Sequence, residues 1–319
     1  MPLLSINIPT YNRASYLKAL IDSFKDDALA LGGEVEINIL DNASTDSTDS
    51  IARSFPLLPI NYQRHEVNLG AIKNIHLAHR LGSGRYVWII GDDDFLMPGQ
   101  LLKIFAKLAD DCSLVLMSYS RVTPAGTAIG KVSIGETDRL FDKDSTDFNL
   151  AQIDSLIGFL SANIIERSWI ENISLQQYDE LDSRGELAHA AICYAPIVAG
   201  RKIQYIAGQP LSQTVDNGYL RHSMWVHVCV KYCINLPKQL VAMGFPADST
   251  KSFFRKRLWR ECVRRMLSEK YRGQRSAAVV TDPEVRNGMG WRMLTLWILV
   301  LVPSRVVRFT HDLLRPQRN

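Results

Sequence analysis

Residues 88–94 read Trp-Ile-Ile-Gly-Asp-Asp-Asp, an apolar strand that runs straight into three consecutive carboxylates. At a strand's C-terminal end, Asp92, Asp93 and Asp94 repel one another unless a cation or a hydrogen-bond network compensates them. Hard divalent cations such as Mg²⁺ and Mn²⁺ take carboxylate oxygens and commonly share them with substrate phosphates. The triplet therefore reads as a place where a metal holds a diphosphate. The plainer reading is a solvated acidic turn, because Gly-Asp steps mark turns anyway.

The elements upstream bear on that choice. Residues 3–8 have a strand pattern ending at Pro9, and residues 14–31 have helical periodicity with Leu17, Leu20, Ile21 and Phe24 on one face. A second strand is expected over 35–40, closed by Asp41-Asn42-Ala43-Ser44, with Ser44 or Thr45 capping a helix that reaches about residue 55. A strand over 60–64, a helix over 70–81 and a strand over 85–90 follow. Strands alternating with helices predict an α/β fold, a doubly wound, mostly parallel sheet. Such sheets bind ligands in the crevice beyond the carboxyl ends of their strands. Pro9–Arg13, Asp41–Asp46 and Asp92–Asp94 all fall there.

The second half is less regular. Helix is expected over 99–110, strands over 113–119 and 128–134, and helix at both ends of 149–173 with Ser161-Ala162-Asn163 between. A helix over 186–199, a strand and loop over 203–215, and an apolar-aromatic helix over 221–243 complete the pattern, the last with Trp225, Val228, Tyr232 and Leu236 in phase. The expected division is a regular strand–helix half (1–110), a less regular half (111–245) and a basic tail (246–319).

The 319 residues, 46% hydrophobic and 22% charged, suit a globular protein of one large domain or two. The five cysteines follow no metal or disulfide spacing, and Cys229 and Cys233, one helical turn apart, read as buried thiols rather than ligands. Met1 leads directly into a strand pattern with no basic leader, so a cytoplasmic location is expected. The net charge of +4 is unevenly spread, since residues 251–319 carry 16 Lys and Arg against 5 Asp and Glu. Over 251–275 the basic residues flank an apolar stripe, and 293–302 is a ten-residue apolar run closed by Pro303. A bilayer-spanning helix needs about 20 residues, so this run is too short to cross. The tail suits a helix lying on an anionic leaflet, or else one packed on the rest of the chain or a dimer mate. No nucleic-acid motif accompanies the charge, so no nucleic-acid partner is expected.

Chemistry gathers at the three strand ends. Pro9-Thr10-Tyr11-Asn12-Arg13 offers a ring, an amide and a guanidinium to a nucleotide, and Asp41 can accept a hydrogen bond from a base. Taken singly, each has a plain alternative: an Asx turn for Asp41, a helix cap for Asn12, a solvated charge for Arg13.

In sequence, Ile8-Pro9-Thr10-Tyr11-Asn12-Arg13, Leu40-Asp41-Asn42-Ala43-Ser44-Thr45-Asp46, Asn68-Leu69-Gly70 with Lys73-Asn74, and Gly91-Asp92-Asp93-Asp94 resemble the inverting family-2 glycosyltransferases of GT-A fold. With Leu160-Ser161-Ala162-Asn163, the Gly-Asp-Asp-Asp form is similar to their abequosyltransferase-like O-antigen branch. The resemblance implies a GT-A-like sheet with a helical C-terminal extension. It also implies metal-dependent, inverting transfer from a nucleoside-diphosphate sugar to a glycan acceptor, lipid-linked at the inner face of the membrane, in surface polysaccharide synthesis. On that basis Pro9, Thr10, Tyr11, Asn12, Arg13 and Asp41 hold the nucleotide. Asn68, Lys73, Asp92 and Asp93 lie at the diphosphate or sugar, and Asp92 and Asp94 bind Mg²⁺ or Mn²⁺. The family usually has Asp where this chain has Gly91. The family normally takes its catalytic base from an acid in the second half; the candidates here are Glu186 and His189, with Asp179, Glu180 and Asp182 behind them. Rival readings are a nucleotidyltransferase, which would want a Gly-rich basic loop after the first strand, and a non-catalytic nucleotide- or carbohydrate-binding protein.

Overall fold

The computed structural model describes residues 1–108, 112–145, 148–172, 174, 176–177, 188–215, 230, 232–242, 244–271 and 277–289, with 293, 296, 298 and 301. They form two compact units, one of residues 1–182 and 188–219, the other of 183–187 and 220–319.

The first unit is built on one sheet. Its opening elements are β1 (Leu4–Thr10), α1 (Ala14–Leu31), β2 (Val35–Asp41), α2 (Thr48–Ala52), β3 (Ile60–Arg64), α3 (Ala71–Ala78) and β4 (Tyr86–Ile89). β5 (Phe95–Leu96), α4 (Gln100–Phe105), β6 (Cys112–Val122), β7 (Ala128–Val132), β8 (Arg139–Phe141) and α5 (Leu150–Ile157) follow. A 3-10 turn Leu160–Ala162 leads into β9 (Asn163–Glu166) and α6 (Arg167–Glu171), and a helix Ala188–Val198 precedes β10 (Lys202–Thr214). The strand order is β3-β2-β1-β4-β9-β6-β10-β5, with β7 on β6 and β8 on β10. The first four strands are mutually parallel, and β9 runs antiparallel between β4 and β6.

Local chemistry accounts for the elements that position the strand ends. α1 buries Ala14, Leu17, Leu20, Ile21, Phe24 and Ala28, a stripe with the period of a helix facing a core. It stops at Gly32, whose φ of 54° most side chains resist. β1 was expected to end at Pro9 and instead runs on to Thr10, in register with Asp41. Leu3 and Asn7 turn their carbonyls toward β4, so Pro9 faces that side as well. The β1–β4 pairing ends at Asn7 and Ile89, so the N–H that proline lacks costs no ladder bond.

Two expectations need correction. α2 spans only Thr48–Ala52, with Ser47 at its N-cap position, so neither Ser44 nor Thr45 caps it. Ser44 Oγ accepts from Asn12 N instead, and Asp46 Oδ1 takes the N–H of Thr48. The middle of 149–173 is not a break between helices but the strand β9, inserted into the sheet beside Trp88. A four-residue buried strand, Asn-Ile-Ile-Glu, has no alternation to announce it.

In the second unit the helix Ala247–Tyr271 buries Phe254, Leu258, Cys262 and Met266. Its apolar stripe is thus buried, while Lys251, Arg255, Lys256, Arg260 and Arg264 face outward. The helix Tyr232–Ala242 buries Tyr232, Leu236 and Leu240, whereas Trp225 and Val228 lie outside the described residues. Among the described residues no helix is long and apolar enough to cross a membrane. Ile298 and Leu301 are 61% and 80% exposed.

Candidate active site

β1, β2 and β4 deliver Thr10, Asp41 and the Asp triplet to one edge of the sheet, at the point where strand order reverses about β1. That is where open α/β sheets bind ligands. The triplet is divided among three sets of partners. Asp92 accepts from Thr10 Oγ1 at 2.7 Å and from Arg13 Nη1 at 2.9 Å. Asp93 Oδ2 accepts from the same Arg13 nitrogen at 2.7 Å. Asp94 Oδ2 accepts from the Ser161 hydroxyl at 2.6 Å and its Oδ1 from Thr214 N at 3.2 Å. Asp92 and Asp94 are buried, whereas the Asp93 side chain is 28% exposed. Asp93 Oδ1 takes no hydrogen bond among the described residues.

Charge is not balanced here. Burial pushes the Asp92 carboxyl up to about 6 even though Arg13 and Thr10 oppose it. Burial pushes Asp94 up to about 8, opposed by Ser161 and reinforced by the charge of Asp93. Burial works against the Arg13 charge, but Asp92 and Asp93 outweigh it, and the guanidinium is held above its ordinary range. Among the described residues Arg13 pairs with two of the three carboxylates and leaves Asp94 without a cation. Because both aspartates are raised above their unfolded value, they favour the fold when protonated. Without metal the chain is expected to lose stability as pH rises through about 6 and then about 8. Unfolding midpoints in chelator across that range test this, and saturating Mn²⁺ is expected to flatten the profile.

The residues fit a hard cation. No group of three His, Cys, Asp or Glu closes a metal cage among the described residues. Mg²⁺ and Mn²⁺ beside a diphosphate need no such cage, since one or two carboxylates suffice when phosphate oxygens complete the shell. Gly91 shows where the oxygens meet. A Cβ at that position would stand 2.9 Å from Asp94 Oδ2 and 3.2 Å from Asp93 Oδ1. The space a side chain would fill is bounded by two carboxylate oxygens.

Other expected residues divide into loop ties and exposed groups. Asn12, at φ 51°, receives Thr45 N on Oδ1 and gives its own N–H to Ser44 Oγ. It therefore knits the first loop to the second. Asp46 Oδ2 accepts from Ala14 N and so caps the start of α1 from across that junction. Asp41 is 1% exposed, with Oδ1 on Ser44 N and Oδ2 on the Tyr62 hydroxyl. The Asx-type turn is thus present, and burial together with Asp41 holds the Tyr62 hydroxyl above its ordinary range. Asn68 Oδ1 receives Asn42 Nδ2 and Gly70 N, which shapes the turn before α3. Tyr11 is 42% exposed, Lys73 faces outward, and Pro9 is half-buried in β1.

Of the base candidates, Glu186, Asp179, Glu180 and Asp182 lie outside the described residues. His189 opens the helix Ala188–Val198 and lines a small pocket of about 10 Å³ with His79, Asn163 and Cys193. Among the described residues no hydrogen bond or ion pair joins it to the triplet. Ser161 and Thr214 were absent from the expected site. They are about 70 and 120 residues from Asp94 in sequence, and no spacing rule connects them.

Residues 5–173 match the model of the family described as glycosyl transferase family 2. The chain belongs to glycosyl transferase family 2. It is 41% identical over 117 residues to abequosyltransferase RfbV of Salmonella typhimurium, a stretch covering 36% of this chain and 35% of that one. The chain therefore spans about a third of that relative's length. TarS residues 1–349 of S. aureus, solved with UDP-GlcNAc, superpose at TM-score 0.62 and 15% identity over 100% of this chain and 93% of that one. The mannosyltransferase PcManGT of Pyrobaculum calidifontis, solved with GDP-Man and Mn²⁺, gives TM-score 0.55 at 14% identity, covering 98% and 88%. Both share the GT-A-type sheet that the family-2 motifs imply.

Proposed function

We propose that the chain transfers a glycosyl residue from a nucleoside-diphosphate sugar to a hydroxyl of a glycan acceptor, lipid-linked, in bacterial surface polysaccharide synthesis. The observation that carries this reading is the convergence of Arg13, Asp93 and Asp94 at the carboxyl ends of β1 and β4. Tyr11 and the loop tied by Asn12 and Asp41 receive the nucleoside, and Lys73 meets the phosphates. Residues 1–110 serve the donor and 111–245 the acceptor.

Mg²⁺ or Mn²⁺, when bound, neutralises the diphosphate as it leaves. Asp94 and Asp93 are the ligands we favour, because one oxygen of each lies within 3.2 Å of where a Cβ on Gly91 would stand. Asp92, expected as a ligand, is instead turned to Thr10 and Arg13, and its role is to hold Arg13 beside the phosphates. The acceptor hydroxyl attacks the anomeric carbon from the face opposite the diphosphate and inverts it. Glu186 or His189 takes its proton.

The chain is placed on the inner face of the membrane by its tail. With the apolar stripe of Ala247–Tyr271 buried, that contact falls to Arg255, Lys256 and Arg260 and to Ile298 and Leu301. Cationic groups near an anionic leaflet contribute about 1 kcal/mol each.

Thermal unfolding with each nucleoside diphosphate, with and without Mn²⁺, tests the core of the reading. At least one nucleotide is expected to raise the midpoint, and to raise it further with Mn²⁺. No shift with any of them would refute it. Metal-dependent binding without transfer across a donor panel would favour a non-catalytic binding protein.

A further inference from the structure

Ser161 both accepts and donates a hydrogen bond through its hydroxyl. Its hydroxyl oxygen accepts from Gly91 N at 2.9 Å, so its own hydrogen is committed to Asp94 Oδ2 at 2.6 Å. Its carbonyl accepts from the Trp88 indole Nε1 at 2.8 Å. One residue therefore grips β4 before the Gly91–Asp94 turn, the first residue of that turn, and its last carboxylate. The turn closes on itself through Asp94 N to Gly91 O at 3.1 Å.

What brings Ser161 there is not local. The 3-10 turn that carries it is clamped by Asn163 Nδ2, which donates to the carbonyls of Ile157, Phe159 and Leu160. The strand that follows pairs antiparallel with β4, setting Ile164 opposite Trp88. Ser161 is buried at 1% exposure and sits on the turn that leads directly into β9.

We infer that Ser161 is a positioning residue for the metal-binding carboxylates, holding Asp94 Oδ2 beside Asp93 Oδ1 so that one cation meets both. This rests on the metal reading above. A carboxylate oxygen has two lone-pair directions, and a hydroxyl in one of them leaves the other for a cation. Groups that orient metal ligands in this way are commonly worth about 10- to 100-fold in metal affinity.

Mn²⁺ is titrated into the full-length chain with UDP, and separately with GDP, and the free ion is followed by paramagnetic resonance. Ser161→Ala is expected to weaken Mn²⁺ binding by about 10-fold or more. Ser161→Cys, which keeps a weak donor, is expected to fall between it and the parent. Ser118→Ala is the control for general loss of a buried hydroxyl. Ser118 Oγ also bridges two backbone groups, Ile206 O and Gln209 N, and touches none of the triplet. It is expected to lower the unfolding midpoint and leave Mn²⁺ affinity at the parental value. Parental affinity in Ser161→Ala overturns the inference, as does equal weakening in Ser118→Ala. If Ser161→Ala is not recovered folded, parental affinity in Ser161→Cys overturns it. A parent that binds no Mn²⁺ with either nucleotide counts against the metal reading itself.

Discussion

Asp93→Ala is expected to lower kcat/KM for sugar transfer by about 10²- to 10³-fold, the cost of removing one preorganised charge at a leaving group. Asp93 is the member of the triplet with an unengaged oxygen and the greatest access to solvent. It also shares Arg13 with Asp92 at 2.7 Å. Its loss therefore removes one of the two metal ligands proposed above and frees Arg13 to pair with Asp92 alone. Stability is not expected to fall, because a partly exposed, mutually repelling carboxylate is being removed. Initial rates over a range of Mn²⁺ concentrations, alongside unfolding midpoints, check both parts. Rates within about threefold of the parent at saturating metal, well short of the cost of losing one preorganised charge, would assign the metal elsewhere. Asp92→Asn retains the Thr10 contact and is expected to cost less than Asp93→Ala, with rates and affinity read in the same assay.

Trp88→Ala is expected to destabilise the sheet-bearing unit by about 3–5 kcal/mol, the range for emptying a buried aromatic site. Trp88 is completely buried in β4 and pairs with Ile164 of β9. Its indole N–H also holds the Ser161 carbonyl, so the cavity opens directly beneath the turn that supports Asp94. Trp88→Phe keeps much of the ring and loses that bond, leaving a buried carbonyl unpaired at a cost of about 1–3 kcal/mol. Urea unfolding followed by circular dichroism gives both values. Equal losses for the two variants would mean that packing contributes little here and the tether nearly everything. A loss below about 1 kcal/mol for Trp88→Ala would contradict the burial, given the usual cost of such cavities.

Much of the fold was legible because the first half of the chain repeats one unit. In α1 the apolar residues recur at helical spacing, and the observed bounds Ala14–Leu31 coincide with those expected. β3 likewise runs Ile60–Arg64 as expected. Periodicity failed where elements are short and buried on both faces. β9 carries four residues and β5 two, too few to show a period of any kind. The short α2 was overextended for another reason. Ser44 and Thr45 have capping chemistry, but their hydrogen bonds are taken by Asn12, a residue from another loop.

The candidate site divides along the same line. Which residue types stand at the ends of β1, β2 and β4 was set by the chain alone, since a strand's last residues face the crevice whatever packs around it. Local order was enough to place Thr10, Asp41 and the triplet together. How the triplet shares its work was decided only by tertiary structure. Arg13 turns Asp92 and Asp93 one way, and Ser161 and Thr214 hold Asp94 another. The same is true of Gly91, which departs from the family's usual Asp and proves to adjoin two carboxylate oxygens. Sequence specifies the charges and their edge of the sheet. Their orientation depends on hydrogen bonds across 67 and 120 residues, which exist only once β9 and β10 have joined the sheet.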